Sequence, residues 1–138
     1  MLDRRSLLLM PALGLWPLAG CNAQPAADGQ VSLDEARRLM ERGEARVFDI
    51  REPDEHATGV ARGMALLPMS QLKQRLGEIP QDPNQPVLLI CNTQNRSGRV
   101  VRAMREAGWA NVRFVQGGMS EWARRGWPLV KPAAANSR

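Results

Sequence analysis

The sequence predicts an α/β fold in which a parallel sheet carries helices on both faces. Strand-like apolar runs alternate along the chain with amphipathic segments of helical period, the order that strand–helix–strand units produce. Residues 87–90, Val-Leu-Leu-Ile, are apolar without interruption, as expected for a strand buried on both faces. The chain has 138 residues, of which 43% are hydrophobic and 24% charged, so it has room for one soluble domain with its own core.

The first predicted unit is a helix followed by a strand. Ser32 and Glu35 form a capping box, which starts a helix whose apolar residues recur at helical spacing. Gly43 ends this helix. Residues 46–50, Arg-Val-Phe-Asp-Ile, form the strand, and a polar loop containing Pro53 follows it.

The next predicted unit is a short strand followed by a second helix. Residues 65–67 form the strand, which ends at Pro68. An amphipathic segment then begins at Ser70 and is closed by Pro80. Residues 81–86 have the composition of a turn. The apolar residues of the amphipathic segment are Leu72, Leu76 and Ile79.

The second half of the chain repeats the pattern after the central strand. A loop and a helix follow that strand, the helix ends at Gly108, and residues 112–115 form another strand. Gly117 and Gly118 are predicted as a turn before a final short helix over residues 120–125. The helix before Gly108 presents an apolar stripe made of Val100, Val101, Met104 and Ala107.

The first twenty residues resemble an export signal and not a part of the fold. Arg4 and Arg5 make a positive segment, and residues 7–18 make an apolar segment too short to span a bilayer comfortably. The arginine pair fits the general secretory or the twin-arginine route. Residues 18–21, Leu-Ala-Gly-Cys, resemble the lipobox of bacterial lipoproteins, which implies cleavage before Cys21 and a lipid on its thiol. The alternative is a plain secretory signal with a chance cysteine.

These features divide the chain into four parts. They are a signal peptide over residues 1–20, a lipidated cysteine with its tether over residues 21–29, a domain over residues 30–130, and a tail over residues 131–138 that is expected to be disordered. The expected location is therefore the extracytoplasmic, periplasmic side of a membrane. Asn22 after the lipid-bearing cysteine is compatible with sorting to the outer membrane.

The charge and cysteine content exclude several classes of protein. The net charge is +5, and no basic stripe is interleaved with aromatic residues, so a nucleic-acid partner is not expected. A mild positive field favours small anions. Two cysteines are too few for a disulfide framework.

Chemistry is expected at Cys91, which directly follows the central strand. Ligands of open parallel sheets bind at the carboxyl ends of the strands, and here a polar loop and the start of a helix follow the cysteine. The backbone amides of residues 92–96 are expected to form an anion nest that, with Arg96, stabilises a thiolate. The alternative is an inert buried cysteine. The polar loop, the helix start and Arg96 favour a reactive thiol.

Three motifs in order resemble those of single-domain rhodaneses, the sulfurtransferase module. Residues 49–72, DIREPDEHATGVARGMALLPMSQL, resemble the first signature with its Asp-x-Arg-Glu and its Gly-x-x-x-Gly turn. Residues 91–97, CNTQNRS, resemble the active loop, in which an arginine and then a serine follow the cysteine. Residues 115–130, VQGGMSEWARRGWPLV, resemble the closing segment. The resemblance extends over residues 30–130.

The resemblance implies a five-stranded parallel sheet and a persulfide on Cys91 that passes from a small anionic donor, such as thiosulfate, to an acceptor. With Cys21 lipidated, the acceptor would be external: a thiol, cyanide or a protein. Asp49 and Arg51 would form an ion pair that braces the loop. No metal or organic cofactor is implied. The substrate-binding residues would be those of the loop, with Arg96 orienting the anion: Asn92, Thr93, Gln94, Asn95, Arg96 and Ser97.

The chain departs from the family pattern at three positions. One is Val60, which stands where the family often has histidine after the first glycine of its turn. Gln94 stands where many family loops have glycine, which matters if the backbone there needs a positive φ. His56, the only histidine, stands where the family usually has an aromatic residue, and it is expected to pack and not to catalyse. Two other functions stay open: a non-catalytic binding module, suggested by Gln94, and a phosphatase or arsenate reductase on the same scaffold. The second is disfavoured because those enzymes use a loop one residue longer.

Overall fold

The computed structural model describes residues 29–135, which form a five-stranded parallel sheet with helices on both faces. The strand order is β1-β5-β4-β2-β3, and every neighbouring pair is parallel. The predicted fold class is confirmed, with the central strand in the middle of the sheet. The strands are β1 (Gln30–Val31), β2 (Arg46–Asp49), β3 (Ala65–Leu66), β4 (Val87–Ile90) and β5 (Val112–Val115).

Five α-helices accompany the sheet in the described part of the chain, and most lie where the sequence predicts them. Ser32 caps the first helix by accepting a hydrogen bond of 3.2 Å from the Glu35 amide, as the capping box predicts. The third and longest helix begins within the loop that follows Cys91. The helices are α1 (Leu33–Glu41), α2 (Pro53–His56), α3 (Asn95–Glu106), α4 (Gly118–Arg124) and α5 (Pro132–Ala135).

The sheet separates two apolar cores. Helix α3 covers one face, whereas α1 and α4 cover the other. Side chains alternate along β4, so Leu89 points to the α3 face and Ile90 to the opposite face. Cys91 continues this alternation and lies on the α3 face, buried with 1% of its surface exposed. The central strand therefore delivers the thiol beneath the first turn of α3.

The segment between Pro68 and Pro80 differs from the prediction of an amphipathic helix. It forms two separate 3₁₀ turns, Met69–Gln71 and Leu76–Glu78. Gly77 weakens helical continuity, and the segment is only about three turns long, so tertiary packing decides its form. The apolar residues still meet the α3-face core, with Ile79 fully buried and Leu72 and Leu76 partly buried.

Three short elements were not predicted. They are strand β1, which pairs with β5, helix α2, which begins at Pro53, and helix α5. Helix α5 lies within residues 131–138, where a disordered tail is expected; proline at its first position and the alanines after it favour helix. The predicted signal peptide, the lipidated Cys21 and most of the tether lie outside the described residues. No helix within residues 29–135 is long and apolar enough to cross a membrane.

Candidate active site

The candidate nucleophile is Cys91, held at the carboxyl end of β4 against the start of α3. Its Sγ lies 3.4 Å from the Ser97 hydroxyl and accepts a hydrogen bond of 3.5 Å from the Ser97 amide. The Ser97 hydroxyl also lies 3.2 Å from the carbonyl oxygen of Gln94. The hydroxyl can thus accept from the thiol while donating to Gln94, or turn to donate to a thiolate. One serine serves both protonation states of the sulfur.

The first turn of α4 anchors the loop from behind. The Met119 amide donates to the carbonyl of Cys91, and the Ser120 amide donates to the carbonyl of Asn92, each at 2.8 Å. These two carbonyls lie outside β4 and α3, so without α4 they would lack partners in regular structure. Helix α4 thereby fixes the backbone of Cys91 and so the position of Sγ.

Gly118 is the residue that permits this close contact. Its φ is +62°, and an added Cβ would lie 2.3 Å from the carbonyl oxygen of Thr93 and 2.5 Å from those of Asn92 and Cys91. Real Cβ atoms do not approach oxygens so closely, and the backbone angle is itself unfavourable for other residues. The sequence predicts a turn at Gly117 and Gly118, but nothing local indicates that this turn presses on the active loop.

The concern raised by Gln94 is removed by its backbone conformation. Its φ is −169°, which is extended backbone that any residue adopts, so no glycine is required there. The side chain has a partner of its own, because Oε1 accepts a hydrogen bond of 3.0 Å from the Gly117 amide. The backbone at Gln94 therefore has no positive φ, and this residue links the loop to the turn before α4.

Arg96 is paired with Glu55, a residue that the sequence reasoning did not single out. Nη1 donates to Oε2 of Glu55 at 2.7 Å and Nη2 donates to Oε1 at 2.5 Å, so both terminal nitrogens are engaged. The hydrogen bonds from Arg96 hold the pKa of Glu55 at about 2, so the pair is ionised at neutral pH. The role of Arg96 in orienting an anion stays a prediction. In this structure the charge of its guanidinium is already balanced by the Glu55 carboxylate.

Glu55 could have been found from the start signal of α2. Glu52 precedes Pro53, and the Glu52 amide donates to Oε2 of Glu55 at 2.9 Å, which is the reciprocal half of a capping box. Proline at the first helical position strengthens that signal. The same Oε2 accepts from Arg96, so the helix cap and the ion pair share one carboxylate.

Asp49 and Arg51 form a buried ion pair. The Arg51 guanidinium donates to both carboxylate oxygens, with Nη2 at 2.7 Å from Oδ2 and Nε at 3.0 Å from Oδ1. It also donates to the carbonyl oxygens of Glu55 and Gly59, at 3.3 and 2.9 Å. The pair thus organises the segment that carries Glu55, and it is linked to the active loop through the hydrogen bonds that Arg96 donates to Glu55.

Burial and hydrogen bonding oppose one another at Asp49. Burial raises the pKa of its carboxyl group, but hydrogen bonds and the charge of Arg51 outweigh burial, so the pKa lies below its usual value. His56 adds to this from 3.4 Å, between Nε2 and Oδ1. That contact lacks hydrogen-bond geometry, and Nε2 has no hydrogen-bond partner within residues 29–135, so we assign the lowered pKa of Asp49 mainly to Arg51. His56 itself is buried, with 4% of its surface exposed.

The other loop residues lie at the surface. The Asn92, Thr93 and Asn95 side chains are exposed, and the Thr93 hydroxyl lies 3.5 Å from the Asn95 amide. The hydrogen bonds to Sγ come from Ser97, so stabilisation of charge by the amides of residues 92–96 stays a prediction. Among residues 29–135, no group of three or more His, Cys, Asp or Glu is placed to hold a metal ion.

Comparison with known proteins places this geometry in a family. The model of the Rhodanese-like domain matches residues 32–125. A protein named sulfurtransferase from Allochromatium vinosum is 33% identical over 97 residues, which covers 70% of this chain and 89% of that protein. The uncharacterized protein YqhL of Bacillus subtilis is 40% identical over 78 residues, which covers 56% of this chain and 60% of that protein.

A solved structure has the same fold. The crystal structure of a rhodanese-related protein from Thermoplasma volcanium superposes with a TM-score of 0.64 and 26% sequence identity. The match covers 73% of this chain and 96% of that one. Nearly the whole of that protein therefore corresponds to the sheet and helices described above.

Proposed function

The chain belongs to the rhodanese-like family, and we propose that it is a sulfurtransferase that carries sulfur as a persulfide on Cys91. The observation that supports this most directly is the surroundings of Sγ. The sulfur is buried, it contacts the Ser97 hydroxyl and amide, and its loop is held from behind by α4. A thiol that only filled space in the core would need none of these polar contacts.

The first half-reaction loads sulfur from an anionic donor such as thiosulfate. The Cys91 thiolate attacks the outer sulfur of the donor, a new S–S bond forms to Sγ, and the old S–S bond breaks. The bonding electron pair leaves with sulfite. The Ser97 hydroxyl and amide can donate to Sγ while it carries negative charge, which lowers the energy of the attacking thiolate.

The second half-reaction passes the outer sulfur to an external acceptor, such as a thiol. The acceptor thiolate attacks the outer sulfur of the Cys91 persulfide and becomes a persulfide itself. The S–S bond to Sγ breaks, and its electron pair returns to Cys91 as a thiolate. No oxidant or reductant is consumed, so Cys91 alone completes the cycle. Cyanide or a thiol on a protein serves the same role by the same displacement.

Replacing the nucleophile tests this function. Cys91→Ser removes the polarisable sulfur with little change in volume, so the rate of sulfur transfer from thiosulfate should fall below about one hundredth of wild type. The measurement is the steady-state rate with cyanide, together with the mass of Cys91 after incubation with thiosulfate. Wild type should gain the mass of one sulfur atom. Transfer that persists in Cys91→Ser would rule out the persulfide.

We also propose that the domain works at the extracytoplasmic face of a bacterial membrane, anchored through Cys21. The support is the order of a positive segment, an apolar segment and Leu-Ala-Gly-Cys at residues 18–21. In an exporting bacterium the wild type should sediment with membranes, and Cys21→Ala should be released or left uncleaved. A wild-type protein found wholly in the soluble fraction with an unmodified amino terminus contradicts the anchor.

A further inference from the structure

A groove opens beside the active loop, on the flank of α3 that lies over β5. Its volume is about 430 Å³, within the range of sites that hold small organic ligands. It begins at the loop itself, since two loop residues form part of its wall. Because Gly98 has no side chain over the Phe114 ring, the edge of this largely buried ring forms the floor. The lining residues are Gln94, Asn95, Gly98, Arg99, Arg102 and Phe114.

Two arginines without partners give this groove its charge. Arg99 and Arg102 are exposed, and neither makes a hydrogen bond or an ion pair to any residue in the described range of 29–135. Glu106, one turn beyond Arg102, forms no ion pair with it. Residues three apart on a helix lie side by side, about 5–6 Å between Cβ atoms, so both guanidiniums face the same space. The groove is a place where positive charge is left unneutralised.

The chemistry of the groove suits carboxylates on a molecule larger than a simple oxyanion. Each guanidinium offers a planar fork of donors that matches a carboxylate, and the floor is apolar. A thiosulfate ion would leave most of the volume empty. A thiol of peptide size with two carboxylates would fill it while its sulfur reaches over Gln94 and Asn95 to the loop. Cys91 is buried and is not among the lining residues, so the thiol of such a molecule has to extend past the two loop residues of the wall to reach Sγ.

We propose that this groove binds the sulfur acceptor, a peptide-sized thiol whose carboxylates pair with Arg99 and Arg102. The proposal rests on the proposed function, since it assigns a site to the molecule that attacks the Cys91 persulfide. The thiolate takes the outer sulfur, and Cys91 leaves as a thiolate, as above. Specificity for the acceptor then lies on one flank of α3, and the sulfur chemistry lies at its first turn.

The test compares acceptors with and without carboxylates. The full chain, extracted in detergent, is loaded with thiosulfate, and transfer is followed to glutathione, which has two carboxylates, and to neutral 2-mercaptoethanol. The groove variant carries two substitutions, Arg99→Gln and Arg102→Gln. The α1 control, Arg38→Gln with Arg42→Gln, removes the same charge from an exposed residue of α1 and from the exposed residue that caps its C-terminal end. It therefore shows how much of any change comes from the lower net positive charge of the protein and not from the groove.

The groove variant should lose about five- to twentyfold in kcat/KM for glutathione, through KM, because exposed charge pairs are individually weak. Its rate with 2-mercaptoethanol and its loading by thiosulfate should stay within about twofold of wild type, and the control should match wild type with both acceptors. Equal losses with both acceptors, or a loss confined to thiosulfate loading, would overturn the acceptor site.

A binding measurement separates this proposal from the proposed function. S-methylglutathione cannot accept sulfur, so its affinity can be measured by calorimetry whether or not Cys91 forms a persulfide. Wild type and the α1 control should bind it, and the groove variant should bind at least about fivefold more weakly. If no persulfide forms in wild type, the proposed function fails while this measurement still decides the groove. If wild type does not bind, or the groove variant binds equally well, the groove proposal is wrong.

Discussion

The two flanks of α3 use their arginines in opposite ways. On the flank toward β2, Arg96 gives both terminal nitrogens to Glu55, whose segment is in turn held by the buried Arg51. On the flank toward β5, Arg99 and Arg102 have no partner within residues 29–135. A paired guanidinium fixes geometry and contributes little field, whereas an unpaired one retains its charge for a ligand. The contrast indicates that the first flank positions the loop and the second is free to recognise a molecule.

The largest expected effect lies in the buried pair of the first flank. Arg51→Ala leaves the Asp49 carboxylate buried without its partner and removes donors from two carbonyl groups, so the free energy of unfolding should fall by about 3–5 kcal/mol. Urea unfolding monitored by tryptophan fluorescence measures it. Arg42→Ala, at an exposed pair with Glu44, is the matched control and should change stability by less than about 0.5 kcal/mol. Similar losses in both variants would remove the distinction between the bracing pair and a surface pair.

The next largest effect is expected on the activity of variants at the Arg96–Glu55 pair. These variants show whether Arg96 braces the loop or contacts the donor. If Arg96 only braces the loop, Arg96→Ala should lower kcat/KM equally for thiosulfate and for a neutral persulfide donor, by about tenfold. Glu55→Gln keeps the shape of the side chain and removes its charge, so it should show the same pattern more weakly. A loss confined to thiosulfate in Arg96→Ala, with a gain in Glu55→Gln, would show instead that Arg96 contacts the anion.

The same pair predicts a pH dependence of stability. The pKa of Glu55 is about 2 in the folded protein, below its ordinary value of 4.5, because Arg96 donates to the ionised carboxylate. A lowered pKa means that the pair stabilises the fold fully above pH 4.5 and that this contribution is lost as the pH falls toward 2. The difference in unfolding free energy between wild type and Glu55→Gln should therefore be constant above pH 4.5 and shrink below it. If the difference in unfolding free energy stays unchanged at low pH, the ion pair between Glu55 and Arg96 does not contribute to stability.

The smallest expected effect is at Gln94, which stands between the two flanks. Gln94→Ala removes the hydrogen bond from the Gly117 amide, so the free energy of unfolding should fall by about 0.5–1.5 kcal/mol. Gln94→Gly should cost slightly more, because φ is −169° and glycine adds only flexibility to the unfolded chain. Chemical denaturation of the two variants side by side provides the comparison. A glycine variant more stable than wild type would mean that the loop needs a different backbone from the one described.

Much of the scaffold was predictable because it depends on local sequence. The apolar run of β4, the cap at Ser32 and the helical spacing in α1 and α3 are properties of neighbouring residues, and the structure has each element in place. The order of strands and helices then places Cys91 at the carboxyl end of a central strand. The helix predicted from Ser70 was wrong, because an apolar period of that length is compatible with two 3₁₀ turns packed on the core.

The fold class, the position of the thiol and the family resemblance could be read from the sequence, since each depends on short runs of neighbouring residues and on their order. The way in which the site is held could not, because it depends on contacts between distant segments. Glu55 and Arg96 are 41 residues apart, and Gly118 packs against the Thr93 carbonyl. The Gln94 side chain bonds to the turn before α4, and the Cys91 carbonyl bonds to the first turn of α4. Such contacts depend on how distant segments dock, and local propensity does not encode this. For the same reason, only packing shows that Arg96 is neutralised while Arg99 and Arg102 keep their charge.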